Sequence, residues 1–473
     1  MKRNRFFSIY ILLFFCLCAK GQTLDDAKSW YLEGRYAEAL PVFQAEYLNN
    51  PNNPSVNQWL GASLYETGKI TEAQKYLEFA SGRRIPDAYL YLGELYAKLY
   101  RFEDAEKEFE KYQRAKRRDR EALEILDQKQ ANAERLQRAV NRTEDIQIID
   151  SLVALKSDFL SAYNLSASSG SLMPVQEFFP GRSMTDETLY MNERQDKVYY
   201  SEGDAATGTN LYTMDKLLET FGNEKRLPET INKEGSQAFP FVLSDGMTLY
   251  FASTGEPSFG GYDLFVTRYN LASDSYLNPN QLNMPFNSPF NDYMLAIDEE
   301  KGIGWFASDR FQPADSVCIY TFIPNPQVQL VESEDAGYLA RRARISSIAD
   351  TWKEGADYRP LRSLAQQRTV SRQETAGDFT FVINDRTTYH TLSDFRNDHA
   401  RSLFSQALDH EKQLQALNEE LSQKRDQYAG GAINDALAAS ILSLEKESES
   451  IFRKMERLKM QARNEEIRTQ FNQ

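Results

Sequence analysis

Two spacings of apolar residues divide the chain. From Thr23 to about Ala115 apolar positions recur three and four residues apart, which predicts amphipathic helices, and the pattern itself repeats at 34 residues. Gly34-Arg35-Tyr36 with Ala39 and Phe43 returns as Gly68-Lys69-Ile70 with Ala73 and Leu77. A third copy, Arg101-Phe102 with Ala105 and Phe109, follows Leu92-Gly93 and Tyr96; Leu60-Gly61 matches in the second copy, and Pro51 closes the first. Small residues at these places let two helices approach closely, and the large ones fill the seam between neighbouring hairpins. Three helical hairpins are therefore expected over 22–115. Residues 116–171 read as a helix and linker: a charged helix from Arg114 to Arg142, a strand at Ile146-Gln147-Ile148-Ile149 with Leu152-Val153, and the small residues Ser166 to Gly170.

Over 172–326 the spacing changes to strand-like runs. Lys197–Ser201 faces Asn210–Met214, Leu249–Ser253 faces Tyr262–Val266, and Gly304–Ser308 faces Val317–Phe322. Ser244-Asp245-Gly246 and Gly260-Gly261 supply hairpin chemistry. Phe251 to Phe306, Leu264 to Ile319 and Asn232 to Asn287 are each 55 apart, and a fixed period means stacked β units. Three units do not close a ring, since propellers need about four blades. Gln176 to Tyr190 and Phe379 to Ile383 are expected to supply degenerate blades, unless the array is closed in another way.

The stretch 327–391 is a mixed connecting region. Tyr338 to Trp352 reads as a helix with Leu339, Ile345, Ile348 and Trp352 as its stripe, beside Arg341, Arg342 and Arg344. Residues 392–473 predict a coiled-coil helical hairpin. One stripe is Phe404, Leu408, Leu414, Leu417 and Leu421; the other is Leu437, Ile441, Leu444, Ile451, Met455 and Leu458, with Gly430-Gly431 between them. The fold class expected is multidomain α+β.

Residues 1–21 read as a signal peptide. Lys2, Arg3 and Arg5 precede the apolar run Phe6 to Cys18, too short to span a bilayer, and Ala19-Lys20-Gly21 supplies small residues for cleavage. Cys16 and Cys18 leave with it, and neither follows a small residue as lipidation requires. Cys318 then has no disulfide partner, and its apolar strand context predicts a buried core residue. The net charge of −14 repels phosphate backbones, so nucleic acid is not an expected partner. The basic run Arg114, Lys116, Arg117, Arg118 and Arg120 reads as a solvated face paired with nearby Glu residues, with an anionic surface as the alternative.

Candidate chemistry is sparse. His390, His399 and His410 form no metal-binding pair, and no Gly-x-Ser-x-Gly elbow is present. Six residues separate Gly61 from Gly68-Lys69 where a phosphate loop needs four, and Ile70 replaces its hydroxyl. Asp245, Asp263 and Asp309 recur with the β units, as turn-fixing residues would. No catalytic, cofactor-binding or metal-ligating residue is assigned, no cofactor is expected, and the chain reads as a non-enzyme.

The 34-residue pattern closely resembles the tetratricopeptide-repeat (TPR) family, which implies a curved stack whose groove holds a partner segment. The Ser-Asp-Gly turn, the Tyr-Phe-Ala-Ser strand and the Gly-Gly-Tyr-Asp-Leu-Phe strand resemble WD-like β-propeller repeats of the TolB type. Together, over roughly Thr23 to Pro326, they resemble outer-membrane-associated accessory proteins of the type IX secretion and gliding machinery of certain Gram-negative bacteria. The related secretion protein ends in an OmpA-type domain that holds peptidoglycan, whereas this chain ends in a helical hairpin, so that anchoring is not carried over. The resemblance implies a scaffold in the periplasm, associated with the outer membrane. Its partners would be subunits of an outer-membrane, assembly or secretion complex, with peripheral membrane association through them. A glycan-binding or glycosidase propeller, or a peptidoglycan-linked structural protein, is the alternative.

Overall fold

The computed structural model describes residues 23–179, 188–204, 208–217, 220–367, 379, 381–384, 387–389, 391–429 and 435–471. The signal-peptide reading, His390 and Gly430-Gly431 lie outside them. The chain divides into two compact units, Met1–Arg138 and Ala139–Gln473.

The first unit is helical: α1 (Leu24–Leu32), α2 (Tyr36–Asn49), α3 (Pro54–Glu66), α4 (Ile70–Gly82), α5 (Pro86–Lys98), α6 (Phe102–Ala115) and most of α7 (Arg120–Val140). Thr23 and Asp26 form a capping box at α1, and the Asn53 side chain accepts from Ser55 N and Val56 N to start α3. The hairpins close on their glycines. A Cβ on Gly61 would lie 2.8 Å from Leu77 Cγ, and one on Gly93 would lie 2.4 Å from Phe109 Cε1. The period is 34 only once. The second helices begin at Tyr36, Ile70 and Phe102, so the later step is two residues shorter. One residue is lost from α4 relative to α2, and one from the turn that follows it. The left-handed corner residues are Gly34 and Gly68 in two hairpins and Tyr100, at φ 60, in the third.

Among the described residues the second unit carries three large antiparallel sheets and a two-stranded one. The strands of the large sheets are β1 (Gln147–Leu155), β2 (Ser171–Pro174), β3 (Thr188–Met191), β4 (Lys197–Asp204), β5 (Gly208–Leu217), β6 (Thr220–Arg226), β7 (Gln237–Val242) and β8 (Thr248–Ser253). They continue with β9 (Asp263–Asn270), β10 (Ser275–Tyr276), β11 (Asn280–Gln281), β12 (Asp292–Asp298), β13 (Ile303–Ser308) and β14 (Ser316–Ile323). The orders are β2-β3-β4-β5-β6, then β7-β8-β9-β10 with β11 also on β9, then β12-β13-β14-β1. The three hairpins pair as their sequences indicate.

The 55-residue spacing has a structural cause. Asn232 Oδ1 accepts from Leu211 N at 2.7 Å, while its Nδ2 donates to the carbonyls of Leu211 and Leu227. Asn287 does the same with Leu264 N at 2.6 Å and the carbonyls of Leu264 and Leu282. Each amide thus ties a linker to the second strand of its hairpin, β5 or β9. Phe239 and Met294, also 55 apart, both adopt positive φ at a bulge in the first strand of their sheets.

These sheets do not close into a propeller, and the expected degenerate blades are corrected here. Thr188–Met191, from the first expected blade, is a strand of the first sheet. That sheet turns Tyr190, Tyr199 and Leu211 to the main core. Its other face, Leu189, Val198, Tyr200 and Met214, is covered by Val175, Phe178 and Phe179 around the one-turn helix α8 (Val175–Phe178). A neighbouring blade would need the face those residues occupy. Phe381–Asn384 pairs instead with Thr387–Tyr389 and joins a separate core under the tail.

At the far end, β1 is the outer strand of the third sheet, so the strand foreseen at 146–153 belongs to the β array although some 160 residues separate it from β14. Its edge is covered: Thr351 Oγ1 accepts from Ile148 N, Trp352 Nε1 donates to Ile148 O at 2.7 Å, and Arg362 Nε donates to Ile149 O at 2.7 Å. The helix expected from Tyr338 to Trp352 is correspondingly short. Helix α9 (Ala336–Arg344) stops where Ile345 turns left-handed at φ 58, and α10 (Arg359–Gln366) follows after an irregular stretch. Arg310 Nη1 and the Arg342 guanidinium fix that end, on Ala343 O and on Asp145 and Ile146 O.

In the tail, α11 (Asp398–Ala429) and α12 (Asp435–Phe471) run antiparallel. Arg425 meets Glu445, Asn418 meets Ser448 and Glu411 meets Lys459. Their base holds Phe381, Phe395, Phe404 and Ala462. Buried Glu466 accepts there from Tyr389 Oη, Arg396 N and Asn397 N, capping the start of α11.

Candidate interaction face

The first helices of the hairpins, α1, α3 and α5, share a face with α7. Gln58 Nε2 donates to Tyr31 Oη at 2.9 Å, joining α3 to α1. Tyr65 and Tyr91 meet edge to face with centroids 5.6 Å apart, joining α3 to α5. Lys98 Nζ stands 4.8 Å over the Tyr65 ring, and Lys129 Nζ reaches Glu94 Oε1 at 2.7 Å, joining α5 to α7. The result is one unbroken strip of rings and polar groups across four helices. Tyr31, Tyr91, Glu94 and Lys98 are half-buried within it, and Glu66 is exposed.

Burial sets the electrostatics of the strip. It pushes the Tyr31 hydroxyl up to about 12 and raises Tyr91 and Tyr65 further. It raises the Glu94 carboxyl against the pull of Lys129 and lowers Lys98 against the pull of Glu94 and Glu66. The strip therefore offers tyrosine hydroxyls, one desolvated ammonium and one desolvated carboxyl, a donor and acceptor set suited to binding. Tyrosine gives large contact area for few rotatable bonds. None of these residues stood out in sequence except as filler between repeat positions. The 34-residue spacing of Tyr31 and Tyr65 was the available signal.

The β unit places the aspartates in loop-fixing roles. Asp245 Oδ1 accepts from Met247 N and Thr248 N, each at 2.8 Å. Asp263 Oδ2 accepts from Phe259 N and Gln281 Nε2, and Asp309 accepts from Asn291 N, Asn291 Nδ2 and Lys156 Nζ. Cys318 is buried in β14, and burial pushes its thiol up to about 11, the state of an unreactive thiol. His399 is exposed and His410 half-buried on α11. Among the described residues no group of three or more His, Cys, Asp or Glu could hold a metal ion, and no helix is long and apolar enough to cross a membrane.

Neither a family model nor a curated protein matches the chain. Among solved structures, the first TPR domain of Spaghetti (RPAP3) bound to an HSP90 peptide matches at 20% identity, over 23% of this chain and 86% of that one, with a TM-score of 0.21. The type III secretion translocator chaperone SycD of Yersinia enterocolitica matches at 20% identity, over 24% and 87%, with a TM-score of 0.22. The first TPR domain of human RPAP3 matches at 21% identity, over 24% and 92%, at 0.21. At such scores the description of α1–α6 as helical repeats resembling TPRs rests on the hairpins themselves: paired helices, glycine against a large residue, and a near-constant step.

Proposed function

We propose that this protein is a non-enzymatic scaffold that holds a segment of a partner protein along the strip formed by α1, α3, α5 and α7. The observation that carries the reading is the continuity of Tyr31, Gln58, Tyr65, Tyr91, Lys98 and Glu94 across successive hairpins. An extended segment crossing the hairpins would meet a hydroxyl, ring or charge on each. The β unit is the seat for a second partner, and the export-signal reading of residues 1–21 supports a periplasmic site of action. Assembly, transport or secretion of envelope proteins at the outer membrane is the process proposed.

The test is affinity purification of the tagged chain from cross-linked envelopes, with mass spectrometry of what is recovered. Stoichiometric recovery of an outer-membrane or secretion component, lost in Tyr65→Ala/Tyr91→Ala but kept in an Arg453→Ala control on the tail, supports the proposal. Recovery of the folded protein alone sinks it.

A further inference from the structure

In an antiparallel helical stack the turns from each hairpin to the next all fall at one end. Two of those turns here are basic: Arg83-Arg84 between α4 and α5, and Lys116-Arg117-Arg118 between α6 and α7. They are neighbours in space, because Lys116 Nζ lies 3.9 Å from Asp87 Oδ1 at the start of α5 and 3.8 Å from Asp119 Oδ2. The flanking residues of the basic run are neutralised, Arg114 by Glu110 at 2.7 Å and Arg120 by Glu124 at 3.1 Å. The other four guanidiniums are not. Arg83, Arg84, Arg117 and Arg118 are exposed, and among the described residues none has a carboxylate within ion-pair distance. Arg83 has only the Phe79 ring, 5.3 Å away.

An unpaired cluster of this kind is unusual on a chain of net charge −14, whose other exposed arginines largely carry acidic partners. The same end of the stack carries an exposed apolar residue: Leu48, 80% exposed, lies in the last turn of α2. We propose that this end of the helical stack docks on the surface of an anionic phospholipid bilayer. Guanidiniums bind phosphate through paired hydrogen bonds, and turns at the end of a stack can present them side by side to a plane. Screening over about 8 Å confines the repulsion from the rest of the acidic surface. Exposed Leu48 at the same end of the stack favours a bilayer over an acidic peptide, since it can enter the headgroup layer. The four arginines are not among the residues of the tyrosine strip, and vesicle binding is read without a protein partner, so this docking is tested independently of partner binding.

The experiment is co-sedimentation of the full chain with phosphatidylcholine vesicles, with and without about 30 mol % phosphatidylglycerol, at low and at about 150 mM salt. Each basic residue near such a surface changes partitioning up to roughly fivefold. The wild type is expected to prefer the anionic vesicles at least tenfold, with a preference that weakens in salt. Arg83→Gln/Arg84→Gln/Arg117→Gln/Arg118→Gln should abolish it while leaving the thermal unfolding transition in place. A control with the same change of charge, Lys353→Gln/Lys446→Gln/Lys454→Gln/Arg457→Gln, should keep it. No preference in the wild type, or equal loss in both variants, overturns the proposal. So does arginine-dependent binding of a polyglutamate peptide without vesicle preference, which would assign the turns to an acidic protein. If partner recovery in envelopes fails while vesicle binding holds, only the scaffold reading falls.

Discussion

In the helical unit the residues that recur are glycines facing large side chains; in the β unit they are buried amides and charges facing backbone. Gly61 against Leu77 and Gly93 against Phe109 act by close approach. Asn232 and Asn287 act by hydrogen bonds to a strand and a linker. The difference follows from how each architecture satisfies its backbone. Helices do so internally, so their repeats need only shape. Linkers between sheets leave N–H and C=O groups without ladder partners, so their repeats need a polar side chain that reaches back. A shape contact tolerates a compensating change in its partner, whereas a buried polar one does not.

The largest expected effect comes from the most polar of these sites. Arg310 and Asp292 form an ion pair at 2.6 Å with both side chains essentially excluded from solvent. Arg310 also donates to Ser308 Oγ and to the carbonyls of Pro285 and Ala343. Burial raises the Asp292 carboxyl, and Arg310 pulls it back. Arg310→Ala strands a buried carboxylate and several carbonyls, so a loss of about 3–5 kcal/mol is expected in urea unfolding of the β unit. Ser308 pairs with Asp292 in register, and Ser253 with Gln237, so the charged arrangement of the third sheet is matched by a neutral one in the second. Gln237→Ala should therefore cost clearly less than Asp292→Ala, which strands the buried Arg310 guanidinium at the matching place. Equal losses would break the argument that charge, not position, sets the penalty.

The helical unit offers the contrasting case. Gly93→Ala forces a methyl to within 2.4 Å of the Phe109 ring and should destabilise by about 1–3 kcal/mol. Adding Phe109→Leu, which removes the ring atoms that the methyl meets, should recover part of that loss. Circular dichroism at 222 nm through a denaturant series measures both. A double variant no better than the single one would mean that the ring is not what the methyl meets.

These differences explain what could be read in advance. The three helical hairpins and three β hairpins are local, so spacing and turn chemistry reveal them. The pairing of β1 with β14 is invisible to any window, because Val153 meets Cys318 only in the fold. The covering of the first sheet by Val175, Phe178 and Phe179 was equally hidden, and a ring was expected in its place. Period alone carries stacking but not closure. The tyrosine strip escaped notice because Tyr31 and Tyr65 share a place in the repeat but Tyr91 does not, and their meaning comes from neighbours on other helices. Asn232 and Asn287 were legible as a 55-residue echo, but their role needed the hydrogen bonds.

The smallest effect separates two desolvated carboxyls, half-buried Glu94 and buried Glu144, one in each unit. Burial raises both. Glu94 answers to a cation, Lys129 at 2.7 Å, whereas Glu144 has only the neutral donors Asn283 and Asn325 and is pushed up to about 7. Between its ordinary value near 4.5 and that raised value, the folded state binds more protons than the unfolded state. Stability linked to Glu144 is therefore full below about pH 4.5 and is lost as pH rises through about 7. Glu144→Gln keeps a neutral acceptor at the site and should remove that dependence. From pH 5 to pH 8 the wild-type β unit should lose about 2–4 °C more in Tm than the variant, roughly 1 kcal/mol for a unit of this size. Glu94→Gln should instead lower stability at pH 8, since it takes the charge from Lys129's partner. Parallel pH profiles for Glu144→Gln and the wild type would show that the Glu144 carboxyl is ionised without penalty, and the contrast between the two units would then rest on packing alone.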